Sequence, residues 1–175
     1  MSAIAFGIAL GSNLGDRRAN LEQGVAHLLH RIPQAQLLAG ASLYETEPVD
    51  CAPGTQAFLN SVIELQAPLT PVELHAHLVA VESLMGRPPE RAHHAPRTLD
   101  LDLLYAGDYV STDPVLTVPH PRLHLRRFVL QPLVEIRPHL KLPSLPGKIS
   151  EAMAALSDEP DSVRFAGTWR YHLVA

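Results

Sequence analysis

The heptapeptide Arg97-Thr98-Leu99-Asp100-Leu101-Asp102-Leu103 alternates apolar and acidic residues, which is the pattern of a β-strand with one buried face. The leucines lie on one face and the aspartates on the other, with Cα atoms of alternate residues about 6.6 Å apart. Two carboxylates held so close repel each other unless a cation lies between them. Mg²⁺ suits such oxygen ligands and takes phosphate oxygens as further ligands. The run therefore predicts a half-buried strand that supports metal-assisted phosphate chemistry, with Arg97 suited to the phosphate.

The segments around this strand predict an alternation of strands and helices. Apolar or alternating runs indicate further strands at residues 3–10, 36–46 and 58–65, with a turn at 11–16 after the first. Helices are expected between this turn and Pro33, from the capping box at Thr70 to about Met85, and at 127–136 and 148–156. An edge strand is possible within 162–173. The order β-α-β-β-α-β predicts a ferredoxin-like α+β fold, an antiparallel sheet with helices packed on its faces.

The composition bounds the class of protein. A chain of 175 residues with 46% apolar and 18% charged residues is typical of one globular domain, so residues 1–175 are expected to form a single domain. A net charge of −4 without a basic run argues against a nucleic-acid partner. The single cysteine, Cys51, has no internal disulfide partner, and the first apolar run is too short to span a membrane. We expect a cytoplasmic monomer without a membrane partner.

The aspartate pair has a plainer explanation, the polar outer face of a half-exposed strand. Nearby cations favour a metal–polyphosphate site instead. These cations are Arg87, Arg91, His93 and His94 in the loop before the strand, and a second cluster, His120, His124, Arg126 and Arg127, follows the strand. The second group also fits a polar loop that leads into a helix. Zinc on His120 and His124 is disfavoured, because the stretch begins with two prolines and offers no obvious third ligand.

Two phenylalanines and an asparagine suggest a site for a flat ring. Phe58 and Phe128 are most simply core aromatics, but Asn60 shares a strand face with Phe58. An amide beside an aromatic ring suits a heterocycle. Gly11-Ser12 after the first strand lacks the lysine of a P-loop, so that type of nucleotide site is excluded.

Four spaced motifs together resemble the 6-hydroxymethyl-7,8-dihydropterin pyrophosphokinase family of folate biosynthesis. They occur in the family's order over residues 4 to about 140. The motifs are Ala9-Leu10-Gly11-Ser12-Asn13-Leu14-Gly15-Asp16; Tyr44-Glu45-Thr46-Glu47-Pro48 with Phe58-Leu59-Asn60; Pro96-Arg97-Thr98-Leu99-Asp100-Leu101-Asp102; and Val118-Pro119-His120-Pro121-Arg122 with Arg126-Arg127-Phe128-Val129-Leu130.

The resemblance implies an enzyme that transfers pyrophosphate from ATP to the pterin hydroxymethyl group and releases AMP. It implies two Mg²⁺ ions on Asp100 and Asp102, with Arg87 and Arg97 completing the catalytic set. The implied ATP-binding residues are Arg87, Arg97, Leu103, Thr117, His120 and Arg126. The implied pterin-binding residues are Thr46, Val49, Phe58, Asn60, His94 and Phe128.

The loop before the aspartate strand departs from the family's best-known pattern. Pro88-Pro89-Glu90 follow Arg87, His94 stands where a tryptophan is common, and Ala95 replaces a glycine. This loop and residues 47–57 are expected to close over the substrates. Two alternatives stay open at this point: another Mg²⁺-dependent phosphoryl or nucleotidyl transferase, and a ferredoxin-like nucleotide-binding module without turnover.

Overall fold

The computed structural model describes residues 2–47, 54–86, 96–143, 145–156 and 163–174. The predictions for Val49, Cys51, Arg87, Pro88, Pro89, Arg91 and His93 to Ala95 lie outside these residues. In chain order the elements are β1 (Ile4–Ser12), α1 (Arg17–Arg31), β2 (Gln36–Gly40), β3 (Leu43–Thr46), β4 (Phe58–Ala67), α2 (Pro71–Leu84), β5 (Asp100–Ala106), β6 (Ser111–Asp113), β7 (Leu116–Val118), a 3-10 turn (Leu123–Leu125), α3 (Arg127–Ile136), α4 (Ile149–Ala155) and β8 (Arg164–Gly167).

The strands form one six-stranded sheet and a short separate ribbon. The order in the sheet is β5-β1-β4-β3-β8, with β2 also paired to β4, and all of these pairs are antiparallel. The ribbon is β6 with β7. The predicted α+β class is confirmed. No helix in the described part of the chain is long and apolar enough to cross a membrane.

The two sides of the sheet differ in what covers them. On the first side, leucines and other apolar residues of β1, β4 and β5 pack against α1 and α2 in one fully buried cluster. On the second side, Val62, Leu104 and Tyr105 pack with α3 and α4 in another. Because Leu101 and Leu103 belong to the first cluster, alternation places Asp100 and Asp102 on the second side.

The starts of the first two helices follow from local capping. Asp16 accepts a hydrogen bond from the backbone N–H of Ala19 at the start of α1. Thr70 and Glu73 form the predicted capping box at the start of α2. Each cap satisfies backbone donors that have no partner within the helix, so both helices begin at defined residues.

The stretch predicted as one strand over residues 36–46 is two strands. The break falls at Ala41–Ser42, because tertiary partners take the polar groups there. The backbone N–H and hydroxyl of Ser42 donate to Glu135 of α3, at 2.9 and 2.8 Å. The Ala41 carbonyl accepts from the indole N–H of Trp169 at 2.7 Å. The β6–β7 ribbon was also not predicted, whereas the suggested edge strand within 162–173 is present as β8.

The turn predicted at residues 11–16 begins too early, because Gly11 and Ser12 belong to β1. Gly11 pairs with Asn60 of β4 on one side and with Asp100 of β5 on the other. Strand pairing on both sides holds this glycine extended. The prediction of a turn at Gly11 is therefore wrong, and the glycine lies inside the sheet between two predicted site residues.

Candidate active site

Four strand ends meet at one end of the sheet and carry most of the predicted site. β1 and β3 end there, and β4 and β5 begin there. Thr46 is the register partner of Phe58, and Asn60 and Asp100 flank Gly11. The sheet thus brings residues from distant parts of the chain into one row of neighbours.

Gly11 is the point at which the aspartate and the aromatic parts of the site meet. A Cβ atom at this position would lie 3.2 Å from Oδ1 of Asn60, and 3.9 Å from both Cβ of Asp100 and Cδ1 of Phe58. All three side chains therefore border the same backbone position. The absence of a side chain at Gly11 leaves room for them to face one another across the strand.

Two arginines connect the aspartates to the aromatic rings. Nη2 of Arg97 lies 3.3 Å from Oδ2 of Asp100, and the Arg97 guanidinium lies 5.5 Å from the centre of the Phe58 ring. Nη1 of Arg126 lies 3.8 Å from Oδ2 of Asp102, and its guanidinium lies 5.5 Å from the Phe128 ring. A cation at this distance over a ring is attracted to its face. Each arginine thus holds one carboxylate and one ring in the same neighbourhood.

The charges of this cluster are partly withdrawn from water. Burial lowers the pKa of Arg126, and the nearby Arg122 lowers it further, while the two aspartates oppose the shift. Burial also lowers the pKa of His120, against the attraction of Asp102. His120 is therefore held toward its neutral form. Its Nδ1 accepts the backbone N–H of Arg122 at 3.1 Å, which leaves Nε2 as the donor nitrogen.

The amide of Asn60 is oriented by its neighbour on β3. Its Nδ2 donates to the hydroxyl of Thr46 at 2.9 Å, and Asn60 is only 5% exposed. In this orientation Nδ2 faces Thr46 and Oδ1 lies on the side of Gly11. Thr46 thus fixes the orientation of a polar group that borders the site.

Two residues without a predicted role hold the site from behind. Asn13 accepts the backbone N–H of Arg97 through Oδ1 at 2.8 Å, and its own N–H donates to the Arg97 carbonyl at 3.2 Å. Glu82, only 4% exposed, accepts the N–H of Leu101 at 2.8 Å, between the two aspartates. Glu82 follows Leu74, Leu78 and Val81 on one helix face. An acidic residue on an otherwise apolar helix face is a pattern from which a role for Glu82 could be predicted.

Two nitrogen atoms of this support have no hydrogen-bond partner. Within the residues that the structure describes, Nδ2 of Asn13 and Nε of Arg97 are the buried side-chain atoms without one. Buried donors are nearly always paired, so an exception calls for an explanation such as strain, a catalytic role, or a bound water or ion. Both atoms belong to the pair that presents Arg97 to Asp100.

The remaining predicted residues lie as follows. The Leu103 side chain is buried in the first-side core, so only its backbone faces away from that core. Thr117 lies on β7, where its hydroxyl donates to the Asp113 carbonyl at 3.0 Å. Val49, Arg87 and His94 lie outside the described residues.

Comparison with known proteins identifies the relatives of this chain. A profile described as 7,8-dihydro-6-hydroxymethylpterin-pyrophosphokinase (HPPK) matches residues 7–138. Proteins named 2-amino-4-hydroxy-6-hydroxymethyldihydropteridine pyrophosphokinase are 44% identical in Bacillus subtilis (78% of this chain, 79% of the relative) and 38% identical in Pseudomonas aeruginosa (78% and 82%). A crystal structure of an HPPK-DHPS in complex with substrates shares the fold, with a TM-score of 0.69 and 11% identity; the match covers 88% of this chain and 43% of that one.

Proposed function

The chain belongs to the 7,8-dihydro-6-hydroxymethylpterin-pyrophosphokinase family, and from this premise we propose a role for each side chain of the site. The protein transfers pyrophosphate from ATP to 6-hydroxymethyl-7,8-dihydropterin in folate synthesis. The observation that supports the proposed roles best is the meeting of Asp100, Asn60 and Phe58 around Gly11. It supports a site in which the polyphosphate and the pterin ring bind side by side.

Asp100 and Asp102 are proposed to hold Mg²⁺, two ions in all, together with the triphosphate. Their oxygens are hard ligands, the arginine contacts to them are long, at 3.3 and 3.8 Å, and the side chains of Asp100 and Asp102 are 20% and 42% exposed. Among the described residues, no group of three or more His, Cys, Asp or Glu side chains could hold a metal alone. Mg²⁺ is commonly held by one or two carboxylates plus substrate phosphates, so the donor set fits. When bound, Mg²⁺ neutralises phosphate charge.

Arg97 and Arg126 are proposed to bind the phosphates, with Arg87 as a third. Both described guanidiniums already lie beside the aspartates and keep further N–H donors. His120 would donate from Nε2 as a neutral imidazole. Leu103, through its backbone, and Thr117 would face the adenosine. Arginine suits phosphate because its planar fork donates two parallel hydrogen bonds.

Phe58 and Phe128 are proposed to stack on the two faces of the pterin, and Asn60 to hydrogen-bond its polar edge. Each ring lies under an arginine that also reaches an aspartate, so pterin and triphosphate would bind next to each other. Thr46 keeps the Asn60 amide in one orientation. Val49 and His94 are proposed to close the pocket.

The reaction needs positioning more than covalent catalysis. The hydroxymethyl oxygen of the pterin attacks the β-phosphorus of ATP. The bond between that phosphorus and the α,β-bridging oxygen breaks, and AMP leaves with the oxygen. Asp102 is proposed to accept the hydroxyl proton. The arginines hold the phosphates in line, and no intermediate on the protein is required.

We also propose a ferredoxin-like layout, a single domain and a monomeric protein. The order β5-β1-β4 followed by β2 and β3 supports a ferredoxin-like layout, if β2 and β3 count as one interrupted strand. Pairing of β8 with β3 supports a single domain over the described chain. A monomer would suffice, because all candidate side chains come from one chain.

An assay for the product tests the function. The protein is incubated with ATP, Mg²⁺ and 6-hydroxymethyl-7,8-dihydropterin, and nucleotides are separated chromatographically. We expect AMP that depends on the pterin. Release of ADP or free pyrophosphate would indicate a different transferase, and calorimetric binding of both ligands without AMP would indicate a module without turnover.

A further inference from the structure

We infer that Arg17 is a positioning residue for the pterin pocket, because it joins the two strand ends on which Thr46 and Phe58 lie. The inference rests on the proposed pterin roles of Thr46, Phe58 and Asn60. Arg17 is the first residue of α1, behind the site on the other side of the sheet. It therefore acts on the pocket without touching the substrate.

The contacts of Arg17 reach both strands at once. Nη1 donates to the carbonyl of Ala57 at 2.6 Å, and Nη2 pairs with Oε2 of Glu45 at 2.8 Å. Ala57 directly precedes Phe58, and Glu45 directly precedes Thr46. Both partners are only partly exposed, so the charged hydrogen bonds are shielded from water better than those of a free surface pair.

The position of the Arg17 contacts with Glu45 and Ala57 matters because the β3–β4 ladder ends there. Thr46 pairs with Phe58 as the last residues of the ladder, and Glu45 pairs with Leu59 one step inward. Strand ends open more easily than strand interiors. A side chain that holds Glu45 and the Ala57 carbonyl together opposes such opening. Loss of Arg17 should let Thr46 and Phe58 move apart and loosen the Asn60 amide between them.

A second arginine reinforces the same carboxylate from the edge strand. Arg164 of β8 lies 3.0 Å from Oε1 of Glu45 and 3.0 Å from Oε1 of Glu47. Its side chain is 59% exposed, against 21% for Arg17, so water and salt weaken its contribution more. We therefore assign the main positioning effect to Arg17.

The test compares Arg17→Ala with Arg18→Ala in a steady-state assay of AMP formation. Arg18 is a neighbour on the same helix whose side chain is 55% exposed and contacts only Glu22, at 3.4 Å, among the described residues. For Arg17→Ala we expect the KM for the pterin to rise about tenfold, the scale of one lost charged hydrogen bond, with the KM for ATP within twofold of wild type. Arg18→Ala should leave both constants unchanged.

Two further variants keep the test decisive if Arg17→Ala folds poorly. Arg17→Lys keeps the charge but has no fork to reach both partners, so the pterin KM should rise by an intermediate factor. Glu45→Gln keeps an acceptor and should resemble Arg17→Lys. An unchanged pterin KM in these variants, or equal increases in both KM values, would overturn the inference. Absence of AMP from wild type would instead overturn the proposed function itself.

Discussion

Two carboxylate–arginine groups lie on the second side of the same sheet, and they differ in how closely the arginines approach and in how exposed the carboxylates are. At Glu64, Arg137 donates from two nitrogens to the carboxylate at distances from 2.6 to 3.1 Å, and the hydroxyl of Tyr105 donates as well. At Asp100 and Asp102, each arginine approaches one oxygen, at 3.3 and 3.8 Å. The Glu64 side chain is 5% exposed, against 20% for Asp100 and 42% for Asp102, so the aspartates are the carboxylates that a ligand can reach.

The surroundings of the two groups explain the difference. Tyr105 reaches Glu64 across Gly7, which pairs with both residues and would overlap the tyrosine ring if it had a Cβ. The hydrogen bonds that Arg137 donates to Glu64 raise the pKa of Arg137, whereas burial lowers the pKa of Arg126. We propose that similar residue types serve stability at Glu64 and ligand binding at the aspartates, and that the exposure of the carboxylates separates the two roles.

The largest effect is expected from removing the charge of Asp100 or Asp102. Asp100→Asn or Asp102→Asn should lower the rate of AMP formation about 10²–10³-fold, the scale seen when preorganised charge is lost from a transition state. The melting temperature should change little, because both carboxylates are partly exposed and their arginine contacts are long, at 3.3 and 3.8 Å. Asp108→Asn, in the exposed turn after β5, is the matched control. Wild-type turnover in either site variant would remove the metal assignment.

Substitutions at Glu64 and Tyr105 should show the reverse pattern, a loss of stability without a large loss of turnover. Glu64→Ala leaves Arg137 and the Tyr105 hydroxyl without their acceptor and should lower the free energy of unfolding by about 3 kcal/mol, the scale for breaking a buried ion pair. Tyr105→Phe removes one donor only and should cost about 1 kcal/mol. Urea denaturation measures both. A large loss of turnover per folded molecule would show that this group also serves catalysis.

Removal of the Asn13 side chain, which holds the backbone of Arg97, should have an intermediate effect. Asn13→Ala removes the acceptor of the Arg97 N–H, so that Arg97 is presented less firmly and kcat/KM for ATP should fall about tenfold. Asn20→Ala is the control, because its amide donates to the Leu14 carbonyl and to the hydroxyl of Ser12, and not to Arg97, within the described part of the chain. Equal losses in the two variants would indicate a general effect of the loop.

The smallest effect concerns the pH dependence of stability at His120. Since burial lowers the pKa of this imidazole, the unfolded chain binds more protons there than the folded chain. The contribution to stability is therefore present above the ordinary histidine pKa and is lost as pH falls through and below it. Wild type should lose more stability than His120→Gln between neutral and mildly acid pH, measured by thermal unfolding. Parallel pH profiles for the two proteins would contradict this.

The sequence predicted what depends on local pattern. Alternation identified β5 and the shared face of Asp100 and Asp102, and the Thr70 capping box identified the start of α2. It could not predict contacts between distant segments. Asn13 and Arg97 are 84 positions apart, and the break at Ser42 depends on Glu135, 93 positions away. Gly11 was placed in a turn because its two strand partners are visible only in the folded sheet.

The central claim is that Asp100 and Asp102 bind a cation together with a polyphosphate. Calorimetric titration with a non-cleavable ATP analogue, with and without Mg²⁺, tests it most directly. We predict Mg²⁺-dependent binding in wild type and in Tyr105→Phe, and loss of the Mg²⁺-dependent part in the double variant Asp100→Asn/Asp102→Asn. Mg²⁺-dependent binding of unchanged affinity in the double variant would contradict the account.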